Sequence, residues 1–181
     1  VSALIERAIE DASLGDVIAA RRNGGLNEAQ IERVRGSDLL VLGALADRVR
    51  SEEVGDEVRI FMEGAPDETD VVTLPPEGSQ LTGLELLREI AVARVTGPRG
   101  VHVRVDWIRA GLELAQIALG FGADQLAGHL ANKRGLPLAD GEKLGVGKKS
   151  RHEDALVVKR RELEGFVKRA GRTPAFAEEG S

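Results

Sequence analysis

The chain has 181 residues, 42% hydrophobic and 30% charged, with a formal net charge of −5, which predicts one folded, soluble domain and excludes a fibrous or wholly disordered chain. It contains no cysteine, which excludes disulfides, thiol catalysis, zinc knuckles and thiolate-held iron–sulfur clusters. No apolar run approaches the roughly 20 residues of a membrane span and no signal-peptide pattern opens the sequence, so a cytoplasmic location without membrane contact is expected.

In chain order, residues 1–56 read as a helical segment. Ile5, Ala8, Ile9 and Ala12 recur at helical spacing, and Asn23-Gly24-Gly25 supplies a left-handed stop. Asn27 with Gln30 makes a capping box for a short helix closed by Gly36, and Ser37-Asp38 opens the next one. Val58 to Met62 and Val71 to Leu74 are short β-favouring runs on either side of a Gly/Pro/Asp turn. Thr82 and Glu85 cap a helix with Leu84, Leu87, Ile90, Ala91 and Val95 on its apolar stripe, ended by Gly97-Pro98. Val101 to Trp107 alternates as a strand, an apolar helix follows to Leu119, and Gly120-Phe121-Gly122 breaks it before a helical pattern resumes from Ala123 to Ala131. Strand, helix, strand, helix implies parallel pairing through right-handed crossovers. The domain layout is therefore a helical segment (1–56), a βαβα core (57–131), a linker (132–149), a C-terminal helix (150–172) opened by Ser150 and Glu153, and a loose tail (173–181).

Charge is unevenly placed: residues 143–172 carry ten Lys and Arg against four Asp and Glu, a basic arm on an acidic body. Lys148, Lys149, Arg151, Lys159, Arg160 and Arg161 are its candidates for docking an acidic partner or nucleic acid; intramolecular or subunit-to-subunit complementarity explains the arm as well. With 3% aromatic residues and no tyrosine, nucleic acid is disfavoured as a partner because stacking platforms are poorly supplied. Gly145-Val-Gly147-Lys148-Lys149-Ser150 glances at a phosphate-binding loop, but residue 142 is Glu, a Lys follows Lys148, and no strand precedes it. The three histidines show no metal-ligand spacing, so no metal and no cofactor are expected.

His102, Arg104 and Asp106 share one strand face, about 6.5–7 Å apart along the strand. If that face lines a cavity, imidazole, guanidinium and carboxylate together can bind a polar ligand. The plainer reading is a solvated face or an Arg104–Asp106 ion pair.

Three strings carry a family resemblance: Leu84 to Arg94, Val101 to Trp107, and Gly120-Phe-Gly-Ala-Asp-Gln-Leu-Ala-Gly128. With Ala170-Gly-Arg-Thr-Pro174 at one end and Ser37 to Asp47 at the other, they resemble the radical SAM enzymes of the futalosine route to menaquinone and their deazaflavin-synthase relatives. The resemblance implies a partial (β/α) barrel-like unit of the α/β class with about three strands, a helical N-terminal segment and a C-terminal helix. It also marks a departure, because the family's cluster-binding cysteine loop would follow Met62 and this chain has none. Gln125 and Ala127-Gly128-His129 also stand where the family's turn differs.

The implied function is a non-catalytic pseudoenzyme linked to menaquinone biosynthesis, binding a small polar metabolite or a partner enzyme. The candidate ligand-binding residues are His102, Arg104, Asp106, Trp107, Asp124, Gln125 and His129. Two alternatives stay open: a scaffold using the basic arm, and a cluster-independent enzyme with His102 or His129 as acid–base and Asp106 as its partner. A three-stranded fragment leaves an edge unprotected, so a homo-oligomer is expected.

Overall fold

A computed structural model describes residues 3–62, 65–129 and 150–177, with 150–159 as helical backbone. The elements are α1 (Ala3–Asp11), α2 (Gly15–Arg22), α3 (Glu28–Gly36), α4 (Leu39–Glu53), β1 (Glu57–Phe61), β2 (Val71–Leu74), α5 (Gly83–Thr96), β3 (His102–Asp106), α6 (Trp107–Ala110), α7 (Leu112–Ala118), a 3-10 turn (Leu119–Phe121), β4 (Gln125–Ala127), α8 (Ser150–Arg169) and β5 (Thr173–Phe176).

Local chemistry sets many of these boundaries. Both capping boxes form as the sequence predicts: Asn27 and Gln30 open α3, and Thr82 and Glu85 open α5. Asp38 caps α4 through the amides of Leu40 and Val41. The first helical run is interrupted at Ser13, whose φ is 57°, so it splits into α1 and α2. Likewise Gly111, at φ 81°, divides the predicted single helix after Trp107 into α6 and α7. Leu84, placed on the apolar stripe of α5 by its spacing, is 68% exposed, and Leu86 is buried in its stead.

The sheet has five strands in the order β2-β3-β4-β1-β5, and every pair is parallel. Two strands correct the sequence expectation of about three. Residues 125–127, read as helical, form β4, whose three side chains are all buried; a run buried on both faces has no alternation to distinguish it from a helix. Thr173–Phe176, read as a loose tail, forms β5 against β1. Its proline is tolerated because Thr173 donates to Asp56, just before β1, and Ala177 to Ile60 within it, which turns the Pro174 nitrogen toward the outer edge.

One face of the sheet is apolar. Leu74, Val105, Leu126 and Ile60 lie in register across β2, β3, β4 and β1. They pack with Leu86, Leu87 and Ile90 of α5, Ala115 and Ala118 of α7, and Leu163 and Val167 of α8. Each fully buried Leu, Ile or Val among them contributes about 1.5–3 kcal/mol. A second cluster joins α1–α4 to the back of α5 through Ile9, Val17, Leu42, Leu45, Val49, Ala91 and Val95. Gly43 lets α4 meet the 3-10 turn, since a Cβ there would lie 2.7 Å from the Phe121 ring.

The other face is crossed by the β1–β2 connection. β1 and β2 are parallel and three strand positions apart, about 14 Å laterally, and residues 62–70 are too few for the helix that commonly fills a parallel crossover. The described part, residues 65–70, runs over this face instead: Pro66 and Glu68 accept hydrogen bonds from Arg104, and Asp70 accepts one from the His102 amide.

Candidate functional site

Alternation along β3 places His102, Arg104 and Asp106 on one face, as the sequence predicts, but they reach three different destinations. His102 Nδ1 meets the Asp124 carboxylate. Asp124 also accepts from the Val103 amide at 2.7 Å and from Arg94 Nη2. Arg94 donates further to the Gly122 carbonyl at 2.8 Å and to the Val101 carbonyl. Its side chain is 0% exposed and that of Asp124 4%, so this is a buried clamp tying α5 to β3 and to the entry of β4. Donating a hydrogen bond to the Asp124 carboxylate raises the His102 pKa above its ordinary value, against the opposing effect of burial. Burial pulls the Arg94 pKa down, and Asp124 resists it. Gly122 is required here: its φ is 97°, and a Cβ would sit 2.9 Å from Arg94 Cγ.

Arg104 enters a second cluster. Register places Thr73, Arg104, Gln125 and Arg59 in one row across four strands. Arg104 donates from Nε to Gln125 Oε1 at 2.9 Å, from Nη1 to the Pro66 carbonyl at 2.9 Å and from Nη2 to Glu68 Oε2 at 2.6 Å. Its guanidinium lies 4.8 Å from the Phe61 ring centroid, and that of Arg59 lies 5.1 Å from the same centroid, an attractive cation–π arrangement. Arg59 Nη1 is 3.7 Å from Glu68 Oε1. Gln125 is 0% exposed, yet its Nε2 has no hydrogen-bond partner. Burial lowers the Arg104 pKa, and the Glu68 carboxylate opposes the shift.

Asp106 does not pair with Arg104. It caps α6 by accepting from the Ile108 amide at 2.8 Å, and it lies 3.3 Å from Arg109 Nε. Trp107 belongs to the core and packs on Gly128, where a Cβ would fall 2.3 Å from the indole. The indole Nε1 and the His129 Nε2 are buried without hydrogen-bond partners. The structure thus joins His102 with Asp124 and Arg104 with Gln125, and sends Asp106 and Trp107 elsewhere. Arg94, Arg59, Phe61 and Glu68 were missed. Arg94 had a signal, since it falls four residues after Ile90 and three after Ala91 on an otherwise apolar stripe. Glu68, in a turn segment, had none.

Of the basic arm, Lys148 and Lys149 lie outside the described residues, as do the linker 132–149 and its phosphate-loop-like segment; the side chains of Ser150, Arg151, Glu153 and Lys159 do too. Arg160 and Arg161 are exposed, and the Arg160 guanidinium stands 4.2 Å from the Phe176 centroid. A groove of about 800 Å3 lies elsewhere, between α4 and the 3-10 turn. Its inner charges already pair among themselves, Arg50 with Asp47 and Asp56 and Arg172 with Asp47. Among the described residues, no group of three or more His, Asp or Glu could hold a metal ion, and no helix is long and apolar enough to cross a membrane.

No family model matches the chain, and no solved structure matches it. Among curated proteins it is similar to cyclic dehypoxanthine futalosine synthase of Streptomyces coelicolor, 31% identical over 109 residues, which is 57% of this chain and 24% of that protein. It is also similar to aminodeoxyfutalosine synthase of the same organism, 35% identical over 41% of this chain and 19% of that protein. A third relative is the 5-amino-6-(D-ribitylamino)uracil–L-tyrosine 4-hydroxyphenyl transferase 2 of Methanosarcina barkeri, 36% identical over 51% of this chain and 22% of that protein. The chain spans a quarter or less of the length of the curated relatives it matches. Its similarity to the futalosine-pathway radical SAM enzymes is distant and partial. With no cysteine in the sequence, its donor set does not fit a thiolate-held iron–sulfur cluster.

Proposed function

We propose that this chain is a non-catalytic, radical-SAM-related binding protein that holds a small polar metabolite against the polar face of its sheet, around Arg104 and Gln125. The carrying observation is the Gln125 side chain, fully buried with its amide Nε2 unpaired beside a buried guanidinium. An orphaned buried donor costs about 1–3 kcal/mol, a cost that a ligand acceptor would remove. The absence of thiolates supports a role without radical chemistry, and the futalosine-pathway relatives support a link to menaquinone biosynthesis. The β4–β1 pairing sets the first strand beside a later one, as closure of a barrel does, which supports descent from a β/α barrel whose inner strands have been replaced by residues 62–70.

The test is a thermal-shift and calorimetric screen of the native chain against futalosine-type nucleosides and S-adenosylmethionine. A ligand at a hundredfold excess over its Kd should stabilise the fold by about 2.7 kcal/mol, and Arg104→Gln should abolish the shift. Indifference to every compound, or binding that Arg104→Gln leaves intact, would sink the proposal.

A further inference from the structure

Glu68 places a carboxylate between two arginines from a connecting segment rather than from the sheet. Arg104 is held without it: Gln125 Oε1 takes Nε, the Pro66 carbonyl takes Nη1, and the Phe61 ring lies beside the guanidinium. That leaves Nη2 aimed at the carboxylate. Arg59 stands beside the same ring, but at 3.7 Å from Glu68 Oε1 it lies beyond ordinary hydrogen-bond length. Gln125 Nε2 adds a donor with no acceptor. The sheet therefore supplies two guanidiniums and an amide donor on one face, and Glu68 satisfies them only in part. The Glu68 side chain is 27% exposed, while that of Arg104 is 5% exposed. Asp67, its neighbour on the connection, is exposed.

We propose that Arg59, Arg104 and Gln125 form a carboxylate-binding site whose resident occupant, the Glu68 side chain, exchanges with the carboxylate of a small free ligand. This deepens the binding reading above and rests on it, naming the chemical group the ligand must carry. Planar guanidinium donors match a carboxylate in geometry as well as charge. A free carboxylate is not tethered to residues 65–70, so it can approach Arg59 and accept from Gln125 as Glu68 does not. The native chain holds its own competitor, and a ligand must displace it.

The experiment is chemical rescue with acetate as probe. Glu68→Gly should melt below the native chain. Acetate should restore it saturably, raising the folding equilibrium about tenfold when present at ten times its Kd. Sodium chloride at equal ionic strength should not do so, the native chain should respond far less, and Glu68→Gly/Arg104→Gln should lose the rescue. If Glu68→Gly does not fold, Glu68→Gln carries the same comparison, because it removes the charge and keeps the side-chain length. A response that chloride reproduces, or that survives the loss of Arg104, overturns the inference. Acetate rescue alongside an inert metabolite screen would defeat the binding role alone; metabolite binding without acetate rescue would defeat the carboxylate site alone.

Discussion

Arg94 and Arg104 are both buried, and both spend three nitrogens on hydrogen bonds, yet their surroundings differ in one respect. The carboxylate facing Arg94 belongs to Asp124, whose amide donates to β3 and whose carbonyl accepts from β1, so it cannot leave without opening the sheet. The carboxylate facing Arg104 belongs to Glu68, on a segment that crosses the face. One ion pair is part of the frame, and the other is an occupant of it. Buried charge alone therefore does not mark a site; what distinguishes the two is whether the counter-charge is anchored and whether a neighbouring donor is left over.

That distinction can be broken most sharply by Asp124→Ala. It strands Arg94 in the core and should cost about 3–5 kcal/mol by chemical denaturation, clearly more than Glu68→Gly. Equal losses would erase the difference between clamp and occupant. Gly122→Ala should come next, losing about 1–3 kcal/mol, because a side chain at φ 97° is strained and its Cβ meets Arg94. An unchanged denaturation midpoint would mean that the clamp has slack. The smallest effect is the pH dependence of His102. Its pKa is raised in the folded chain, so its stabilisation is fully present below the ordinary value near 6.5 and is lost as pH rises through the folded value. The melting-temperature difference between the native chain and His102→Gln should shrink as pH rises from about 6 to 9. A difference that is flat or grows would show that the imidazole gains nothing from Asp124.

Much of the frame was legible because it rests on local chemistry. The capping boxes, the Gly97-Pro98 stop and the alternation of Val101 to Trp107 each follow from a few neighbouring residues. The candidate site was half legible. His102 and Arg104 could be picked out by type and strand face, and Asp124 and Gln125 through the family resemblance, but their pairings depend on register between strands separated along the chain, which periodicity does not carry. The Arg104–Asp106 pair, one of the plainer alternatives for this face, does not form because an aspartate directly before a helix is drawn to its free amides. β5 escaped because its proline argues against a strand unless the position is known to be an edge.

The strand order also constrains how the fold is assembled. β1 lies between β4 and β5, both of which come later in the chain, so when β1 is first made neither of its hydrogen-bonding edges has a partner. Contacts of such long sequence separation close slowly, and an unpaired apolar strand is exposed to misassociation while it waits. The helices α1–α4, with local contacts, can form early, whereas β1 joins the rest of the sheet only when β4 arrives and has its second edge covered only by β5.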